Sequence, residues 1–103
     1  MIQFFYFEEC PNYSKSLENL LEVISELNID KNDLEIINIK DLESAKRYNF
    51  QGSPSIIVNG IDIYTEKKKT EGVNYTCRLY KFNNVVTGII PKEFIKEKIL
   101  KFY

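Results

Sequence analysis

Two thiols, Cys10 and Cys77, stand out in a chain that has no histidine at all. Without imidazole, Ser-His-Asp triads, Cys-His dyads and His-ligated zinc are excluded within these residues. Two cysteines are too few for a disulfide scaffold or a four-thiolate zinc site. What remains for them is packing, a redox pair, a lone nucleophile or two-coordinate binding of a soft metal such as Hg(II) or Cu(I). Cys10 stands before Pro11 and a helical pattern, so it is expected at a helix N-terminus. Unpaired N–H groups and the macrodipole favour a thiolate there. Glu8 and Glu9 act the other way, but carboxylates that reach water are screened. The expected pKa of Cys10 therefore lies below the value of about 8.5 for a free thiol. Ser14 is either a donor to that sulfur or a cap for the helix.

The elements that must position these thiols follow from periodicity. Ile2 to Phe7 is apolar and aromatic throughout, the pattern of a strand buried on both faces. Tyr13, Leu17, Leu20, Leu21, Ile24 and Leu27 then form one helical stripe, with Pro11 suited to the first turn. Leu34 to Ile39 reads as a second strand. Asp41 caps a short helix carrying Leu42, Ala45 and Tyr48 on one face. Gly52 ends that region, and Ser53-Pro54 enters a third strand, Ser55 to Val58. Asn59-Gly60 is a strong two-residue hairpin signal leading to a fourth strand, Ile61 to Tyr64. Glu66 to Asn74 is charged and loop-like, and Lys67, Lys68 and Lys69 within it read as a solvated run. An anion site is the alternative reading of those lysines. Cys77 to Phe82 and Val85 to Ile90 form a further extended pair around Asn83-Asn84. Pro91 opens a last helix with Phe94, Ile95, Ile99 and Phe102 on its apolar side.

The resulting order, β-α-β-α-β-β-insert-α, predicts an α/β fold with a mixed sheet whose first strand is central. The chain has 103 residues, 44% of them hydrophobic, and 14 basic against 15 acidic side chains. That composition fits one globular domain over residues 1–103 and excludes a disordered or low-complexity chain. The near-zero charge gives no general attraction to nucleic acid or to anionic lipid. No apolar run approaches the roughly 20 residues of a membrane helix. The start of the chain lacks a basic segment followed by an apolar one, so a cytoplasmic location is expected.

The element order, with a cysteine after the first strand and a proline before the third, resembles the thioredoxin-like fold. Cys10-Pro11-Asn12-Tyr13 is similar to the Cys-x-x-Cys or Cys-x-x-Ser site of that family, and its Cys-Pro pair looks glutaredoxin-like. The stretch from Ala45 to Pro54 resembles the family's Ala-x-x-Tyr-x-Val-x-Gly-Val/Thr-Pro run, whose proline follows a cis peptide bond. A narrower resemblance joins Cys77-Arg78-Leu79-Tyr80 and the Gly88 to Pro91 run to small thioredoxin-like proteins with a second cysteine at that place.

The resemblance implies a thiol–disulfide redox protein in which Cys10 attacks a disulfide. It also implies that Pro11, Tyr13, Ser53 and cis-Pro54 line an edge that pairs with substrate backbone. Tyr13 stands where the local resolving cysteine would be, so a monothiol cycle is expected, with glutathione as external resolving thiol and co-substrate. Cys77 is the second candidate for that role, and on the helical stripe Tyr13 itself is most simply a core residue. No bound cofactor or resident metal is expected, and the partner is a disulfide-containing protein or a small thiol. A non-catalytic binding module and soft-metal handling by Cys10 and Cys77 are the competing functions.

Overall fold

The computed structural model describes residues 1–68 and 72–103. Lys69, and with it part of the lysine run, lies outside the described residues. Among the described residues the fold is mixed α/β, with three α-helices and a five-stranded mixed sheet. Strand β1 (Ile2–Tyr6) pairs in parallel with β2 (Leu34–Asn38) and antiparallel with β3 (Ser55–Val58). Strand β4 (Ile61–Asp62) follows β3 through Asn59-Gly60, both residues at positive φ, as a tight hairpin turn requires. A two-residue strand β5 (Lys67–Lys68) completes the order β2-β1-β3-β4-β5. The middle strand is thus β3, with β1 beside it, rather than β1 itself. The insert forms a separate hairpin, β6 (Tyr80–Phe82) with β7 (Val85–Thr87), around Asn83-Asn84 at positive φ.

The side-chain period of two divides the core. Ile2 and Phe4 of β1, with Ile56 and Val58 of β3, face helices α1 (Tyr13–Glu26) and α3 (Lys92–Phe102). Phe5 and Ile57 face the other way, onto Ala45 of helix α2 (Leu42–Tyr48) and Phe50. Helix α2 begins at Asp41, whose carboxylate accepts the Ser44 N–H at 2.7 Å, and ends at Asn49 in the left-handed conformation. The N–H cap holds the Asp41 carboxyl below its ordinary range.

Several boundaries differ from the sequence reading. The strand expected from Cys77 begins only at Tyr80, and that expected to Ile90 ends at Thr87. Three further differences have a local reason. Helix α1 begins after Asn12, so Pro11 lies ahead of the first turn. Strand β4 stops at Asp62 because the Asp62 carboxylate accepts the Tyr64 N–H at 2.9 Å and bends the chain. The stretch expected as loop after Glu66 includes β5, since Lys67 and Lys68 pair with β4.

The buried face of α1 is also rotated from the apolar stripe. Leu21 is 42% exposed, while Ser16 and Asn19 are buried. The Ser16 hydroxyl accepts the Ile90 N–H at 3.0 Å, and the Asn19 amide donates to the Ile90 carbonyl at 2.9 Å. Both backbone groups of a buried residue are thereby satisfied, which ties the insert's far end to α1. Replacing Asn19 by Ala leaves that carbonyl unpaired and is expected to cost about 1–3 kcal/mol. Urea unfolding of the reduced protein checks this, and a loss within error of zero contradicts it.

Candidate functional site

Antiparallel pairing of β1 with β3 brings the end of one to the start of the other, Phe5 opposite Ser55. The chain beyond β1 therefore runs beside the Ser53-Pro54 peptide, which is cis. The Phe7 N–H donates to the Ser53 hydroxyl at 3.2 Å, and the Cys10 N–H donates back to the Phe7 carbonyl at 3.2 Å. That turn carries Cys10 over Ser53, with its sulfur 3.4 Å from the Ser53 carbonyl oxygen. Cys10 is only 1% exposed. It lies two residues before the helix cap Asn12, outside the first turn of α1, so direct solvation by helix N–H groups is not part of its setting.

Cys77 reaches the same place from the insert and forms a disulfide with Cys10, their Cα atoms 5.7 Å apart. Whether Cys77 could reach Cys10 was open from the sequence; the fold brings them together. The segment from Asn74 to Arg78 acts as a strap along the edge of Ser53. The Ser53 N–H donates to the Thr76 carbonyl at 3.0 Å, and the Arg78 N–H donates to the Ser53 carbonyl at 2.8 Å. Cys77 thus lies opposite Ser53 in a parallel bridge. The expectation of an open backbone edge at Ser53 and Pro54 is corrected here: the protein's own strap fills it, and both residues are buried.

Three contacts hold the strap. Asn74 donates its N–H to the Phe50 carbonyl at 2.8 Å. Tyr75 packs edge-on against Phe7, ring centroids 5.2 Å apart. Past the disulfide, the Arg78 guanidinium donates to Asp62 at 2.7 Å and to the Ser55 hydroxyl at 3.3 Å. Its side chain is 14% exposed and that of Asp62 only 6%, so the ion pair is largely out of water. The guanidinium carbon also lies 4.8 Å from the centroid of the Tyr80 ring. Tyr80 donates its hydroxyl to the Pro54 carbonyl, and burial pushes that hydroxyl well above its ordinary pKa, so it remains a donor.

Two glycines make room for these crossings. Gly52 has φ +110°, and a Cβ there would lie 2.8 Å from the Arg78 Cβ. Gly88 is buried against Asn12, whose side chain would meet any added Cβ.

The other expected site residues are spread. Pro11 is exposed beside the disulfide in sequence. Tyr13 stacks on Tyr6 with centroids 4.4 Å apart and packs against the core, and its outer side borders a shallow groove with Leu17 and Leu21. Ser14 is exposed, and Lys67 and Lys68 lie exposed in β5. Arg78, Asp62 and Tyr80 carry the strap, and sequence reasoning assigned them no role. The available signal was an aspartate in an otherwise apolar hairpin strand and an arginine next to the second cysteine. Among the described residues, no three His, Cys, Asp or Glu side chains cluster as a metal site would need. No described helix is long and apolar enough to cross a membrane.

No protein-family model, no curated protein and no solved structure matches this chain.

Two outcomes follow from the strap. The disulfide spans a sequence separation of 67 residues. Closing a loop of that size restrains the unfolded chain by about 4 kcal/mol on the entropy model. The oxidised protein should melt on the order of 15 °C above the reduced one. Either Cys→Ser change should abolish the difference, and equal melting temperatures in both redox states contradict it. Arg78→Met removes one partner of a buried pair and leaves Asp62 uncompensated, which is expected to cost about 3–5 kcal/mol. Adding Asp62→Asn should recover a large part of that loss in the same denaturant titration. No recovery would show that the ion pair is not what holds the strap.

Proposed function

We propose that this chain is a thiol–disulfide exchange protein of thioredoxin-like fold, with Cys10 and Cys77 as its redox pair. The observation that carries the reading is the disulfide itself, set across a backbone edge beside cis-Pro54 and far from any local Cys-x-x-Cys arrangement. Supporting the fold reading are β1 parallel to β2 and antiparallel to the β3–β4 hairpin, and helices on both faces of the sheet. The pair replaces the monothiol cycle, because a second thiol already stands next to Cys10 and no external thiol is needed to resolve a mixed disulfide.

In the reduced chain both cysteines are thiols. One attacks a substrate R–S–S–R′ as thiolate, forming a protein–S–S–R mixed disulfide and releasing R′S⁻, which takes up a proton. The second thiolate then attacks the protein sulfur of that bond and expels RS⁻. The substrate gains two electrons, and the protein is left with the Cys10–Cys77 disulfide. An external thiol such as glutathione, or a dithiol, reduces it again. A disulfide-bearing protein or a small thiol is the partner, and a reducing cytosol is the setting in which such a cycle runs.

Dithiothreitol-driven reduction of a protein disulfide tests this. Wild type should exceed the uncatalysed rate, while Cys10→Ser and Cys77→Ser should each fall to background. Wild type matching the doubly substituted protein would instead favour a binding module in which the cysteines take no part.

A further inference from the structure

Resting on that reading, we infer that Cys77, not Cys10, is the sulfur that exchanges with partners, and that Cys10 is the buried resolving thiol. This reverses the roles implied by the Cys10-Pro11 motif.

The first observation is access. Cys10 is 1% exposed, whereas Cys77 is exposed and sits between exposed Thr76 and a Leu79 that is 65% exposed. Thiolate attack on a disulfide runs in line with the breaking bond, from the side opposite the leaving sulfur. For attack on Cys77 that side faces outward from the buried Cys10. Attack on Cys10 would have to come through the packed protein that leaves this residue 1% exposed.

The second observation is the Ser53 carbonyl, 3.4 Å from the Cys10 sulfur. A thiol at that position has an acceptor for its S–H, and a backbone acceptor is itself anchored by the Arg78 N–H. Cys10 released as a thiolate takes up a proton, and the resulting S–H donates to that carbonyl inside the fold.

The third is the way the strap is tied. Asn74 is bonded to Phe50 on one side of Cys77, and Arg78 is held by Asp62 and Ser55 on the other. A mixed disulfide on Cys77 thus stays beside Cys10 and is positioned for resolution.

The steps balance as follows. In reduction of the protein, an external thiolate RS⁻ bonds to the Cys77 sulfur, the Cys10–Cys77 bond breaks, and Cys10 leaves as thiolate. A second RS⁻ then attacks the sulfur of R on that mixed disulfide, giving RSSR and the Cys77 thiolate. In the opposite direction the Cys77 thiolate attacks a substrate disulfide and Cys10 closes the cycle.

The experiment treats the oxidised, folded wild-type protein briefly with limiting glutathione, quenches with acid, labels the free thiols with maleimide after unfolding in denaturant, and maps the peptides by mass spectrometry. The expected product carries glutathione on Cys77 and maleimide on Cys10, in about tenfold excess over the opposite pattern or more. As a second measurement on the reduced single variants, oxidised glutathione should modify Cys77 in Cys10→Ser faster than Cys10 in Cys77→Ser. Glutathione mainly on Cys10 overturns the assignment while leaving the redox pair intact. No glutathione on either cysteine of the folded protein, with both modified after unfolding, overturns the exchange reading as well.

Discussion

The arrangement depends on the backbone of one residue. Ser53 gives its N–H to Thr76 and its carbonyl to Arg78, and the same carbonyl faces the Cys10 sulfur. A buried peptide group with neither partner would be costly, so whatever covers this edge must supply a donor and an acceptor at strand spacing. The insert does so with its own backbone. The pairing itself is made by main chain and fixes the course of the strap beside Ser53. The side chains then decide how firmly the strap stays.

That firmness comes from the residue after Cys77. A buried ion pair is seldom a large net gain over apolar packing, but losing one partner is severe. Arg78 and Asp62 therefore act mainly as a register device: the guanidinium finds its carboxylate only if the strap has the observed alignment. Tyr80, bonded to the Pro54 carbonyl, repeats the check one step further along. Gly52, ahead of β3, is the matching concession, since only a residue without a side chain lets Arg78 cross so closely. Cys77 is thus placed by its neighbours in sequence, whose partners lie on the hairpin and at the start of β3.

Much of the framework was legible because its signals are local. The apolar run of β1, the Asp41 cap, Asn59-Gly60 and the Pro91 helix start each act within a few residues. The inward turn of Ser16 and Asn19 was not legible from hydropathy. Their burial depends on a backbone segment that arrives from the distant insert, and an apolar count sees two polar residues where the fold sees two hydrogen bonds. Leu21 was assigned to the core for the same reason. At the site, the two cysteines and Pro54 could be singled out by type and motif. The strap could not, because a pairing between Ser53 and Cys77 follows no period along the chain. The backbone edge at Ser53 is paired by the protein's own strap.

The strap has one more consequence, for the state in which its disulfide is open. Anchors at Asn74 and Arg78 leave only Tyr75, Thr76 and Cys77 between them, and Tyr75 is itself packed among aromatic rings. So short a tether cannot carry one sulfur far from the other while its anchors persist. The local concentration of Cys77 at Cys10 then exceeds the millimolar range typical of short flexible linkers, because this linker is short and held at both ends. A small thiol in solution must compete with that tethered neighbour for each sulfur it captures, so the lifetime of any mixed disulfide is governed by the strap and not by the concentration of the protein.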